Sequence, residues 1–85
     1  MDYHTAQIAL AAAVAEDPFN MEHFRKFGFW AKIAVKAAEK GQAVFVKKAY
    51  IEILALEEKI DVFADVTGVM PALFFAAQDA CKSTR

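Results

Sequence analysis

The chain has little of what most chemistry needs. Its soft metal ligands are His4, His23 and Cys81, and their spacing matches no zinc pattern. A single cysteine excludes an intrachain disulfide and points to a reducing, cytoplasmic setting. The three glycines, Gly28, Gly41 and Gly68, stand apart, so there is no glycine-rich phosphate loop. Ser83 is the one serine and lies in the tail, which argues against a serine-centred triad. Cys81 falls on an apolar helical face and reads as a packing residue. Glu57 and Glu58 are adjacent, so on a helix they point about 100° apart and share no site through local geometry. No catalytic residue, metal or cofactor is expected, and the chain is not expected to be an enzyme.

Long apolar runs are also missing. Nothing nears the ~18 residues of a membrane span. Ile8 to Ala15 is apolar, but Asp2 and no Lys or Arg precedes it, where a secretion signal needs a basic start. No membrane partner is expected. The formal net charge of −1 predicts no general attraction to nucleic acid. No strand-like alternation, internal repeat or low-complexity segment occurs.

What is present is apolar and helical. Eighty-five residues make one domain, 1–85, and 58% of them are hydrophobic, with eight phenylalanines. So short a domain buries only ~60% of its surface, and association commonly adds stability. Gln42 to Val66 runs without Gly or Pro and reads as one long central helix, about 42–66, with Asp61 and Asp65 as the places where it would kink or end early. Phe45, Ala49, Ile53, Leu56, Ile60 and Phe63 recur along it at helical spacing and form its expected core line. Val44, Ile51, Ala55 and Val62 form a second apolar line, with Leu54 beside it. Two lines mean either that the helix is packed on both sides within the chain or that the second line meets another chain.

The flanking segments complete an all-α bundle of about four helices. A first helix spans about His4 to Glu16, capped by Asp2 or Thr5. Its sides are thin in bulk, so it should lie close against larger residues. The second begins at Asp17-Pro18 or Asn20 and stops at Gly41. Phe24, Phe27, Ala31, Ala34, Val35 and Ala38 form its core face. Phe29 falls on its polar stripe beside Gly28. Either the helix breaks there and turns Phe29 and Trp30 inward, or Phe29 is an exposed anchor. The last helix starts near Pro71 and runs to about Lys82, with Met70, Leu73, Phe74, Ala77, Ala80 and Cys81 inward. Phe75 lies on its wet side.

Charge is segregated. From His23 to Lys48 stand Arg25, Lys26, Lys32, Lys36, Lys40, Lys47 and Lys48 against Glu39, and acidic residues prevail on both sides of this middle. An antiparallel pairing about Gly41 would bring Arg25 and Lys26 level with Glu57 and Glu58 and neutralise it internally. Otherwise Lys36, Lys40, Lys47 and Lys48 form a basic hairpin tip able to steer an acidic partner.

These features point to a small protein-interaction module. It would act as an adaptor, a structural subunit or a stoichiometric inhibitor of the kind viruses encode, and homodimerisation is expected. The candidate contact residues are Phe29, Lys36, Lys40, Val44, Lys47, Lys48, Ile51, Leu54, Val62 and Phe75. Two alternatives stand behind this reading. One is a nucleic-acid-binding helical protein using the basic 23–48 segment. The other is a carrier for a small apolar ligand held between Phe-lined helices.

Overall fold

Backbone chemistry sets the ends of each helix in the computed structural model, which describes residues 1–84. Asp2 caps α1 (Tyr3–Glu16): its carboxylate accepts the Thr5 N–H at 2.7 Å. That bond holds the Asp2 carboxyl below its ordinary range. Ala6 and Leu10 are the buried residues of α1.

The Asp17-Pro18 signal makes a turn rather than a helix start. The Asp17 carboxylate accepts from the Asn20 side-chain amide at 3.1 Å and closes residues 17–20 on themselves. So α2 (Glu22–Glu39) begins later, without a side-chain cap. It ends as expected. Gly41 adopts φ +69°, its N–H donates to the Ala38 carbonyl at 3.1 Å, and the Gln42 N–H donates to the Ala37 carbonyl at 2.9 Å. Those two bonds are a Schellman stop, which needs the left-handed residue glycine adopts without strain.

No break occurs at Gly28. The helix runs straight through it, and its place is explained by α1. A Cβ at Gly28 would collide with Leu10 Cδ2, so the missing side chain is what lets α1 cross here. Gln7 Nε2 donates to the Gly28 carbonyl at 2.9 Å and fastens the crossing. Phe29 therefore stays on the outer side, exposed, while Trp30 is half-buried against the core.

The expected long helix is divided. α3 covers Ala43–Glu57, a 3-10 turn covers Val62–Ala64, and α2 is the longest helix at 18 residues. The reason lies in Ile60 and Val62, both buried. Residues two apart on an unbroken helix point about 200° apart and cannot both face one core. The Leu56 carbonyl accepts from the Lys59 and Ile60 N–H groups at 2.9 and 3.0 Å, and the chain then leaves the helix, which lets both side chains turn inward. The inward line of α3 is Val46, Ala49, Ile53 and Leu56. Phe45 and Phe63, expected at the two ends of that line, are exposed.

Asp65 organises the last turn. It accepts from the Thr67 N–H at 3.0 Å, from the Thr67 hydroxyl, and from the Met70 N–H at 2.9 Å. Gly68 supplies φ +80°. α4 (Val69–Ser83) follows, with Pro71 in its first turn, where a missing N–H costs nothing. Met70, Leu73, Phe74, Ala77 and Ala80 are buried as the spacing predicts, and Cys81 is half-buried beside them.

The four helices form a bundle, and no strand occurs among the described residues. α2 and α4 lie at its centre, and each packs on every other helix. α1 and α3 occupy the outer corners, with no substantial packing between them. Ala31, Ala34, Ala37, Ala49 and Ala77 sit in the core, where their small volume lets the helices approach closely.

Candidate protein-interaction surface

Because α3 occupies a corner, only one of its two apolar lines is covered. Val46 and Ile53 point into the core. Val44 and Ile51, each two residues earlier, point away from it. Val44 is 77% and Ile51 65% exposed, and Leu54 and Ala55 are exposed beside them. The chain does not pack α3 on both sides. Val62 does not belong to this outer line: at 1% exposure it is a core residue, carried inward by the 3-10 turn.

A second apolar surface adjoins the first. Tyr50 of α3 approaches Phe74 of α4, ring centroids 6.4 Å apart. Phe63 packs edge-on against Phe74 at 5.5 Å, and Phe75 lies 5.8 Å from Phe63 and 5.9 Å from Phe74. Phe74 is the buried floor of this cluster, while Phe63 is 56% and Phe75 49% exposed. Leu54 follows Tyr50 by one helical turn, so it joins the aromatic cluster to Ile51. Ile51, Leu54, Phe63 and Phe75 thus sit on one side of the molecule. Phe63 carried no sequence signal as a surface residue, since it fits the core rhythm of an unbroken helix.

Phe29 lies elsewhere. It lines a groove between α1 and α2 with Ala11, Val14 and Lys32, and meets Trp30 edge-on at 5.3 Å. As α1 and α3 occupy separate corners, Phe29 is not part of the α3–α4 surface.

The hairpin tip is basic and its charges are not paired internally. Lys36 and Lys40 end α2, Lys47 and Lys48 stand in the first turns of α3, and all four are exposed. Among the described residues the one ion pair is Lys26 to Glu22, 3.4 Å, within α2. The expected pairing of Arg25 and Lys26 with Glu57 and Glu58 does not form. Lys36 and Lys40 border a shallow groove with Ile33 and Phe45, which places a further exposed phenylalanine at the same tip.

A third feature is a groove of about 400 Å³ between α1, the start of α2 and residues 61–70. Leu10, Met21, Phe24, Val69 and Met70 line it, with Asp61 and Asp65 at its edge. Burial pushes the Asp65 carboxyl up, but its bonds from Thr67 and Met70 outweigh this and hold it below the ordinary carboxylate range. Phe24 is the one phenylalanine in this lining, so it is not the Phe-lined site a carrier was expected to have.

No three His, Cys, Asp or Glu side chains among the described residues are grouped to hold a metal ion. Among the same residues no helix is long and apolar enough to cross a membrane. No family model, curated protein or solved structure matches the chain.

Proposed function

We propose that the chain is a non-catalytic protein-interaction module whose working surface is the outer face of α3 together with the Phe63–Phe75 cluster. One observation carries this: Phe63 and Phe75 are exposed on a buried floor of Phe74, and Ile51 and Leu54 are exposed on the neighbouring outer face of α3. Monomeric proteins rarely leave contiguous apolar patches beyond a few hundred Å² uncovered. Large aromatic side chains on a rigid floor are also the groups that dominate interface energies. The four lysines of the hairpin tip flank this surface at one end and suit it to an acidic protein rim. An adaptor, a structural subunit or a stoichiometric inhibitor would use the surface in the same way, and a homodimer is its simplest occupancy.

The lysine tip also supports a second reading, contact with nucleic-acid phosphates. Against it, Glu52, Glu57, Glu58 and Asp61 follow on the same helix and the turn beyond, and would repel a phosphate backbone laid along α3. The double substitution Phe63→Ser with Phe75→Ser tests the leading reading. It should leave the helical circular dichroism and a cooperative melt in place and abolish self-association in sedimentation equilibrium. A variant that associates like the parent would remove the aromatic cluster from the interface. Binding of mixed-sequence duplex DNA with a steep salt slope, unaffected by the double substitution, would favour the phosphate reading.

A further inference from the structure

The charges along α3 run against the helix's own dipole. Lys47 and Lys48 stand in its first turns, while Glu57 ends it and Glu58 caps it. The helix dipole favours acids at the start and bases at the end. Lys59 is the one base at the far end, and the tip itself is not neutralised: the end of α2 adds Lys36 and Lys40 to it, and no carboxylate among the described residues pairs with any of the four. An order that α3 does not favour by itself is favoured by a second helix lying antiparallel to it.

The outer face has the spacing for such a partner. Val44, Ile51 and Glu58 are seven residues apart and point nearly the same way. Lys47 and Leu54 flank that line on one side, Lys48 and the small Ala55 on the other. We infer that the chain pairs with a second copy of itself, α3 antiparallel to α3, with Ile51 on the two-fold axis and Lys47 of each copy beside Glu58 of the other. This rests on the reading of the α3 face as protein-binding and names its occupant. A two-fold axis of this kind keeps the same flank of both helices on the same side of the seam. The flank of Lys47 and Leu54, toward which Glu58 leans by about 20° from Ile51, is the one that Tyr50 and the aromatic cluster border, so the Phe63–Phe75 shelves of both copies come together there. That addition matters for size. Fifteen residues of helix are only about 22 Å long and give less than the ~800 Å² per partner of a stable interface. The aromatic shelf supplies the remainder. A parallel pairing would instead set Lys47 against Lys47 and Glu58 against Glu58.

Single cysteines placed in a Cys81→Ala background separate the arrangements. Ile51→Cys should form a disulfide-linked dimer on mild oxidation, because the two sulfurs meet at the axis. Val44→Cys should not, because antiparallel copies hold residue 44 about 21 Å from its mate along the helix. Independently, Lys47→Glu should weaken the dimer about tenfold in sedimentation equilibrium, since it reverses two pairs at once, and adding Glu58→Lys should restore it. Residues 44, 47, 51 and 58 are exposed and Cys81→Ala only trims a half-buried side chain, so circular dichroism should report an intact fold throughout. A dimer in which both cysteines cross-link overturns the antiparallel arrangement and leaves the protein-binding reading standing. So does a dimer indifferent to the charge reversal. A parent protein that stays a 9.4 kDa monomer at high micromolar concentration overturns self-pairing altogether.

Discussion

Replacing Gly28 by alanine sets two known effects against each other at one atom. In the interior of a helix alanine is favoured over glycine by about 1 kcal/mol. Gly28 lies in the middle of α2, so a free helix would gain that amount. In the folded chain the new Cβ would meet Leu10 Cδ2 at well under the ~3.5 Å that two carbons tolerate. Leu10 is buried and must change rotamer or push α1 outward, and overpacking of this kind costs about 1–3 kcal/mol. Any retreat of α1 also lengthens the bond from Gln7 Nε2 to the Gly28 carbonyl, worth about 1 kcal/mol. The expected net result is destabilisation by about 1–2 kcal/mol. The sign should reverse once the obstacle is removed. In a Leu10→Ala background, itself destabilised by about 2–5 kcal/mol, the added methyl group enters space the leucine has left. There Gly28→Ala should stabilise by about 1 kcal/mol. Urea unfolding of the parent, the two single variants and the double variant completes the cycle, provided the Leu10 variant retains a folded baseline. If Gly28→Ala stabilises both backgrounds equally, the close approach of α1 is wrong and Gly28 is only a weak spot in a helix.

Two further outcomes are expected. Val62→Asp should cost more than about 4 kcal/mol, because it places a charge in the core, while Phe63→Asp should cost about 1–2 kcal/mol, the loss of its contacts with Phe74 and Phe75. A helix unbroken to Val66 would rank the two the other way round, so thermal melts of this pair test the break after Glu57. The third concerns acid. The Asp65 carboxyl is held below its ordinary value in the fold, so its contribution is complete above the unfolded-state value of about 3.9 and is lost as pH falls through the lower folded value. Asp65→Asn should flatten the loss of stability as pH falls below about 4, relative to the parent. Identical pH profiles would mean that the bonds from Thr67 and Met70 to Asp65 do not persist in solution.

Much of the bundle was legible without coordinates because its signals are local. The Gly41 stop depends on one residue's conformational freedom and two backbone bonds. The inward faces of α2 and α4 follow from apolar spacing, and each of these helices has a polar side that leaves little choice of orientation. The outward position of Phe75 follows from the same spacing, as does the grouping of Val44 and Ile51 on one line with Leu54 beside it. Charge segregation was equally plain, as it is a property of the linear order.

Spacing fixes the angles between side chains on a helix but not the direction in which the core lies. On α3, with apolar residues on nearly every side, that zero of angle was open. The line from Phe45 and the line from Val46 share Ala49, Ile53 and Leu56, and only contact with α2 and α4 selected Val46. The end of α3 was likewise a tertiary decision. Ile60 and Val62 both gain burial if the helix stops, and Asp61 between them permits a stop without requiring one. That choice turned Val62 inward and Phe63 outward, and so created the aromatic shelf. Gly28 read as a defect because its partner, Leu10, is 18 residues away in the chain. From sequence come the helices, their stops and the two apolar faces. The packing of α1 and α3 at opposite corners decided which face is covered, because a side chain's exposure depends on what lies across from it.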